Sequence, residues 1–139
     1  MQISQHSKIT EASVDDAENP TKLIDIAGEG IPTWLWSEST GDSKSVLEVG
    51  RERAMRESGG FSYRNARVAY SNSATLGMVL SYPIDKAPEG NLDELPAALA
   101  PFVALERRLV GTWYVNALAV FPRFRGHGLG TELLRAAET

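Results

Sequence analysis

The residues best suited to chemistry form one short run, Arg125-Gly126-His127-Gly128-Leu129-Gly130. Glycine at every second position lets backbone N–H groups converge on an anion. The run follows an apolar stretch ending Leu118-Ala119-Val120 and a turn at Pro122. It opens an amphipathic segment that continues through Leu133-Leu134. A helix N-terminus adds its positive end to the same anion, so the whole reads as a cradle for a phosphate-bearing ligand. Arg125 offers charge-assisted donors. Thr131 brings a hydroxyl and an N–H that suit a phosphate oxygen. His127 reads as a solvated side chain whose backbone N–H is the useful part.

The elements that must hold this loop follow from the pattern around it. Thr112–Val120 carries Trp, Tyr, Val, Leu and Ala without a charge, which predicts a central strand buried on both faces. Leu129–Ala137 is the final helix. Upstream, Lys8–Ala12 is a short strand. Ser13 with Asp16 resembles a capping box before a helix through Leu23, Ile24 and Ala27. Pro20 disturbs that helix: either a short turn precedes it, or the helix restarts with Asn19 as cap and Pro20 first. Gly28-Glu29-Gly30 ends the segment. Ile31–Trp36 reads as an apolar linker whose two Trp residues form a packed corner or a pocket wall. Ser43–Glu57 is a second helix with Val46, Leu47, Gly50, Ala54 and Met55 near helical spacing, stopped by Gly59-Gly60. Phe61–Ser71 and Thr75–Ile84 read as a hairpin around Asn72-Ser73-Ala74, with Gly77 marking a bulge. Asp85–Asp93 is a polar loop. Pro96–Val110 is helical but broken at Pro101. This order predicts one α/β domain over residues 1–139, a mixed sheet flanked by helices.

The bulk properties exclude several function classes. The 139 residues carry a formal net charge of −4, which argues against a binder of nucleic acid through phosphate contacts. There is no cysteine, so thiolate metal sites and a Cys nucleophile are excluded. His6 and His127 are far apart in sequence, and no metal is expected. Residues 1–10 are polar and do not read as a secretory signal. No stretch approaches the roughly 20 apolar residues of a membrane span. The expectation is a soluble, cytoplasmic protein with no membrane or nucleic-acid partner.

Three loop grammars compete for the glycines. A Walker-type loop needs Gly-Lys-Ser/Thr, and no Lys follows. A dinucleotide fingerprint counted from Gly126 meets Thr131 where its third glycine belongs, and no room follows for its distal acid. The third grammar, Arg/Gln-x-x-Gly-x-Gly/Ala between strand and helix, is matched in full by Arg125–Gly130. At these residues the chain resembles the GNAT superfamily of N-acetyltransferases. The supporting context is the strand ending Leu118-Ala119-Val120, then Pro122, then the helix start at Leu133-Leu134. The resemblance implies the acyl-CoA N-acyltransferase fold, with the C-terminal part absent, and acetyl-CoA as co-substrate. It implies a coenzyme site at Leu118, Ala119, Val120, Arg125, Gly126, His127, Gly128, Leu129, Gly130 and Thr131.

The resemblance further implies direct transfer to the amine of a small molecule or peptide, without an acyl-enzyme. A free alkylamine has a pKa near ~10.4, so its proton must be removed first. The family's oxyanion donor is a central-strand N–H, here near Leu118, with pantetheine pairing along Leu118–Val120. Some members place a Glu on that strand, whereas Thr112–Val120 has none. Tyr114 and Asn116, through a held water, and Glu29 or Glu106 are the alternatives for proton removal. The family's later strands and helix, with its Tyr acid, have no counterpart here. The expected alternatives are a shortened gene product, a longer tail, or a partner chain supplying the strand in a homodimer by strand exchange. A non-catalytic acyl-CoA-binding module is the alternative function.

Overall fold

The computed structural model describes residues 8–38, 40, 44–56, 61–71, 74–87, 90–95, 97 and 99–138. In chain order these give strand β1 (Lys8–Glu11), helices α1 (Glu18–Ala27), α2 (Ile31–Ser37) and α3 (Val46–Ala54), and strands β2 (Ala66–Ser71) and β3 (Ala74–Pro83). Helix α4 (Ala100–Arg107), strand β4 (Trp113–Val120) and helix α5 (Leu129–Glu138) follow. Four strands form one sheet in the order β1-β2-β3-β4. The first two pairings are antiparallel. So is the third: Leu76 accepts from the Phe121 N–H, and Ile84 donates to Thr112 further along. Contacts divide the chain into two units, Met1–Ser81 with Val115–Thr139, and Tyr82–Tyr114. Among the described residues no helix is long and apolar enough to cross a membrane.

In the larger unit both faces of the sheet are covered, and the side-chain period of two sorts the core. Ala69, Val79 and Val120 pack with Leu129, Leu133 and Ala137 of α5 on one face. Val68, Met78, Leu80, Ala117 and Ala119 pack with Leu23 of α1 on the other. Leu76 breaks the parity, since it lies with Val79 rather than with Met78 and Leu80. The register explains this. Ala69 faces Gly77 and Tyr70 faces Thr75, so Leu76 is an extra residue, and a bulge of one residue turns it to the opposite face. Gly77 therefore does mark the bulge. It also admits β4 closely, because a Cβ there would stand 2.7 Å from the Ala119 carbonyl oxygen. The guanidinium of Arg67 donates to the Ala136 carbonyl, placing a cation on the last turn of α5.

Several expectations are corrected. Ile31–Trp36 is a helix, not a linker. Pro32 suits its first turn, where the missing N–H has no role, and Asp25 accepts from the Thr33 N–H at 2.9 Å. Trp36 is the packed corner, stacked on Phe61 at 5.9 Å, whereas Trp34 is exposed. Helix α1 begins after Ala17 with no side-chain cap, so Asn19 is not its cap; the Asp16 side chain of the expected Ser13 box lies outside what the structure describes. A short turn at Val14–Asp16 precedes it, and Pro20 sits in its first turn, where no intrahelical donor is lost. Ser45 and Glu48 make a capping box on α3. There Val49, Gly50 and Ala54 are buried, while Leu47 and Met55 are exposed. Tyr63–Asn65 is a helical turn before β2, not strand. Pro101 opens α4 rather than breaking it.

The largest correction concerns β4. It is last in the sheet order, not central, and its exposed end carries Trp113 at 55% accessibility. Only Ala117, Ala119 and Val120 are buried along it. A long apolar run signalled burial on both faces, but that burial is confined to its C-terminal half. The expectations for residues 1–7 with His6, Ser43, Glu57, Gly59-Gly60, Asn72-Ser73, Pro96 and Thr139 lie outside the described residues. The smaller unit closes on itself: Ile84 donates to Thr112 at 2.9 Å, Gly111 donates to Ile84 at 2.7 Å, and Arg107 donates to the Gly90 carbonyl.

Candidate coenzyme-binding site

The site is built where β4 hands over to α5. After Val120 the chain makes a helical turn at Pro122–Phe124, which the Phe124 N–H closes onto Phe121 and the Arg125 N–H onto Pro122. The Arg125 side chain then reaches back, its Nε donating to the Val120 carbonyl at 3.0 Å. That bond ties the loop to the strand it leaves. Gly126 and Gly128 follow with φ of 85° and 80°, left-handed conformations that side chains rarely adopt. A Cβ at either would meet nothing within 4 Å, so the backbone there faces open space. Gly130 is different: it is helical, and a Cβ would rest 3.7 Å from Leu118 Cδ2, an ordinary contact.

The glycine geometry decides where the N–H groups go. The helical ladder begins with the Glu132 N–H donating to Gly128 at 3.2 Å. The N–H groups of Leu129, Gly130 and Thr131 come before that bond and are among the donors that a helix start leaves without an intrahelical partner. Among the described residues no bond outside the helix is found for those of Gly126, His127 or Gly128. Leu129, Leu133 and Ala137 anchor the helix beneath, fully in the core. The result is a row of donors and a helix dipole fixed in place at the end of a strand, an arrangement suited to an anion.

A cavity of about 390 Å³ lies against this row. Leu118, Ala119 and Val120 form one wall, Phe124 and Arg125 the turn side, and Gly126, Gly128, Leu129 and Gly130 the loop side. Ile26 and Ala27, at the end of α1, complete it. So eight of the ten residues expected to hold the coenzyme line one cavity. His127 and Thr131 are exposed beside it and do not line it. Ile26, Ala27 and Phe124 were not foreseen. No local signal marks them, because an α1 terminus and a β4 terminus meet only through the sheet.

The expected proton-handling residues do not gather here. Glu29 is exposed in the turn after α1, in a left-handed conformation at φ 53°. Asn116 is exposed on β4. Neither lines the cavity. Tyr114 belongs to the Tyr82–Tyr114 unit, half-buried, its ring edge-on to Tyr82 at 5.8 Å and 80°. Burial, and then the negative charge of Glu106, hold its hydroxyl above the ordinary tyrosine range. Glu106 is held above the usual carboxylate range by burial, partly offset by a hydrogen bond from Tyr82.

A family model described as the acetyltransferase (GNAT) family matches residues 31–139. The fold is similar to that of a crystal structure of an acetyltransferase, with TM-score 0.62 and 18% identity over 93% of this chain and 71% of that one. An N-acetyltransferase from Staphylococcus aureus Mu50 has TM-score 0.59 and 17% identity, covering 93% and 73%. The mosquito arylalkylamine N-acetyltransferase like 5b has TM-score 0.59 and 20% identity, covering 95% and 69%. At these identities the likeness is one of fold. No curated protein matches the sequence.

Proposed function

The chain belongs to the GNAT acetyltransferase family, and from that premise we propose that it transfers the acetyl group of acetyl-CoA to a primary amine by direct attack. Family membership makes it an acyltransferase with acetyl-CoA as co-substrate. The amine acceptor and the direct route are the further steps proposed here, with residues 1–139 treated as one acetyltransferase domain. The observation that carries the reading is the row of N–H donors at Gly126–Thr131 beside a cavity walled by the end of β4.

In this reading the pyrophosphate rests on the Gly126–Thr131 N–H groups, with Arg125 fixing the loop. Arg125 thus acts chiefly through its bond to Val120, more than as a direct ligand of the phosphate. The pantetheine amides run along Leu118, Ala119 and Val120 in the manner of an added strand. The Leu118 N–H is assigned to the carbonyl oxygen of the thioester, where negative charge develops. The amine nitrogen attacks the carbonyl carbon, the C–S bond breaks, and the thiolate leaves. The amine proton goes to a basic group, and the thiolate takes up a proton. Tyr114, Asn116 and Glu29 are the positions proposed for proton handling, with Glu106 as a fourth.

The test is thiol release from acetyl-CoA with a panel of primary amines, in parallel with calorimetric titration of acetyl-CoA. Amine-dependent release, abolished with binding by Gly128→Trp, is the expected result. Saturable binding without release for any amine supports instead a non-catalytic acyl-CoA-binding module. No binding at all removes both readings.

A further inference from the structure

The Tyr82–Tyr114 unit contains a side-chain cluster that the coenzyme cavity does not use. Tyr82 and Tyr114 meet edge to face, their centroids 5.8 Å apart. The Tyr82 hydroxyl donates to Glu106 Oε1 at 3.4 Å. All three side chains are half-buried. Among the described residues Glu106 has no cation within ion-pair reach. A carboxylate drawn out of water normally comes with a cation or a full set of donors. Here it has a single long hydrogen bond and two aromatic rings.

This is the composition of a receptor for an organic cation. A carboxylate oxygen accepts an ammonium N–H, and aromatic rings attract the positive charge. We propose that Tyr82, Glu106 and Tyr114 bind the ammonium group of the acceptor, and that they select alkylammonium ions with no carboxylate on the adjacent carbon. The proposal rests on the amine-acceptor reading above. The selectivity follows from charge. An α-carboxylate would be carried toward Glu106, and like charges in a partly desolvated site repel. A neutral alcohol of the same length brings no charge for Glu106 to meet. Burial already holds the Glu106 carboxyl above its ordinary range, so a cation brought beside it would draw it back toward the charged form.

The probes are n-butylammonium, norvaline (the same chain with an added α-carboxylate) and 1-butanol, each titrated into the full chain, with acetyl-CoA titrated separately. Wild type is expected to bind n-butylammonium at least about tenfold more tightly than norvaline or 1-butanol. Glu106→Gln, which keeps the shape and removes the charge, should weaken n-butylammonium about tenfold or more and leave acetyl-CoA within about twofold. Tyr82→Phe keeps the ring and should cost about threefold. Equal affinity of wild type for n-butylammonium and norvaline overturns the proposal without any variant. So does an unchanged affinity in a folded Glu106→Gln, or no saturable amine binding by a wild type that binds acetyl-CoA. Amine binding lost in Glu106→Gln by a chain that does not bind acetyl-CoA upholds the receptor and refutes the coenzyme reading.

Discussion

Gly128 and Gly130 stand two residues apart in the loop, and the same substitution at each should move stability in opposite directions. Gly128 has φ of +80° with nothing within 4 Å of an added Cβ, so alanine there meets conformational strain and no clash. Left-handed strain for an L-residue is about 1–2 kcal/mol. Loss of glycine's freedom in the unfolded chain returns about 0.5–1 kcal/mol. Gly128→Ala is therefore destabilising by about 1 kcal/mol. Gly130 is helical, and its Cβ would meet only Leu118 Cδ2 at 3.7 Å. Gly130→Ala should stabilise by about 0.5–1 kcal/mol, the helix preference of alanine over glycine. The gap of roughly 1.5–2 kcal/mol separates the two urea midpoints by on the order of 1 M, for slopes typical of this size. Acetyl-CoA affinity should fall about tenfold in Gly128→Ala and stay within about threefold in Gly130→Ala. Only Gly128 needs a conformation that alanine resists. Midpoints that shift together, or a Gly128→Ala as stable as wild type, would refute the reasoning from φ.

Three further outcomes are expected. Gly77→Ala forces a Cβ to 2.7 Å from the Ala119 carbonyl, which β4 must move to relieve; a loss of about 1–3 kcal/mol by urea unfolding is expected, and a loss under about 0.5 kcal/mol would contradict the close approach. Ser45→Ala removes the acceptor for the Glu48 N–H at 3.2 Å and should cost about 1 kcal/mol by the same assay. The raised pKa of Glu106 gives a definite sign with pH. Its contribution to stability is complete below the ordinary carboxyl range and is lost as pH rises through its elevated folded value. The melting temperature of wild type relative to Glu106→Gln should thus fall across that window; a flat or rising difference contradicts it.

How much of this was legible in sequence depends on how local each cause is. The loop from Arg125 to Gly130 was legible because its glycines, the preceding apolar strand and the following amphipathic helix are contiguous. The hairpin of β2 and β3, and Gly77 as its bulge, were legible for the same reason. Helix α2 was missed because Ile31–Trp36 has no polar face. Its helicity is set by Pro32 in the first turn, by the Asp25 bond to Thr33, and by burial of Trp36 on Phe61. The exposure of the N-terminal half of β4 was missed because hydropathy reports apolar character and not burial. Ile26 and Ala27 entered the cavity through tertiary packing alone. The Tyr82–Glu106 contact spans 24 residues between a strand and a helix. Neither residue carries a local pattern that announces it.

The central claim is that the N–H groups of Gly126–Thr131 and the end of β4 hold acetyl-CoA. The most direct test is a titration of ¹⁵N-labelled protein with acetyl-CoA, followed through individual backbone amides. The account predicts saturable shifts led by Gly126, Gly128, Leu129, Gly130 and Thr131, with Leu118 and Val120 following and all of them lost in Gly128→Trp. Saturable shifts confined to other residues, or none on these amides in a folded protein, would contradict it.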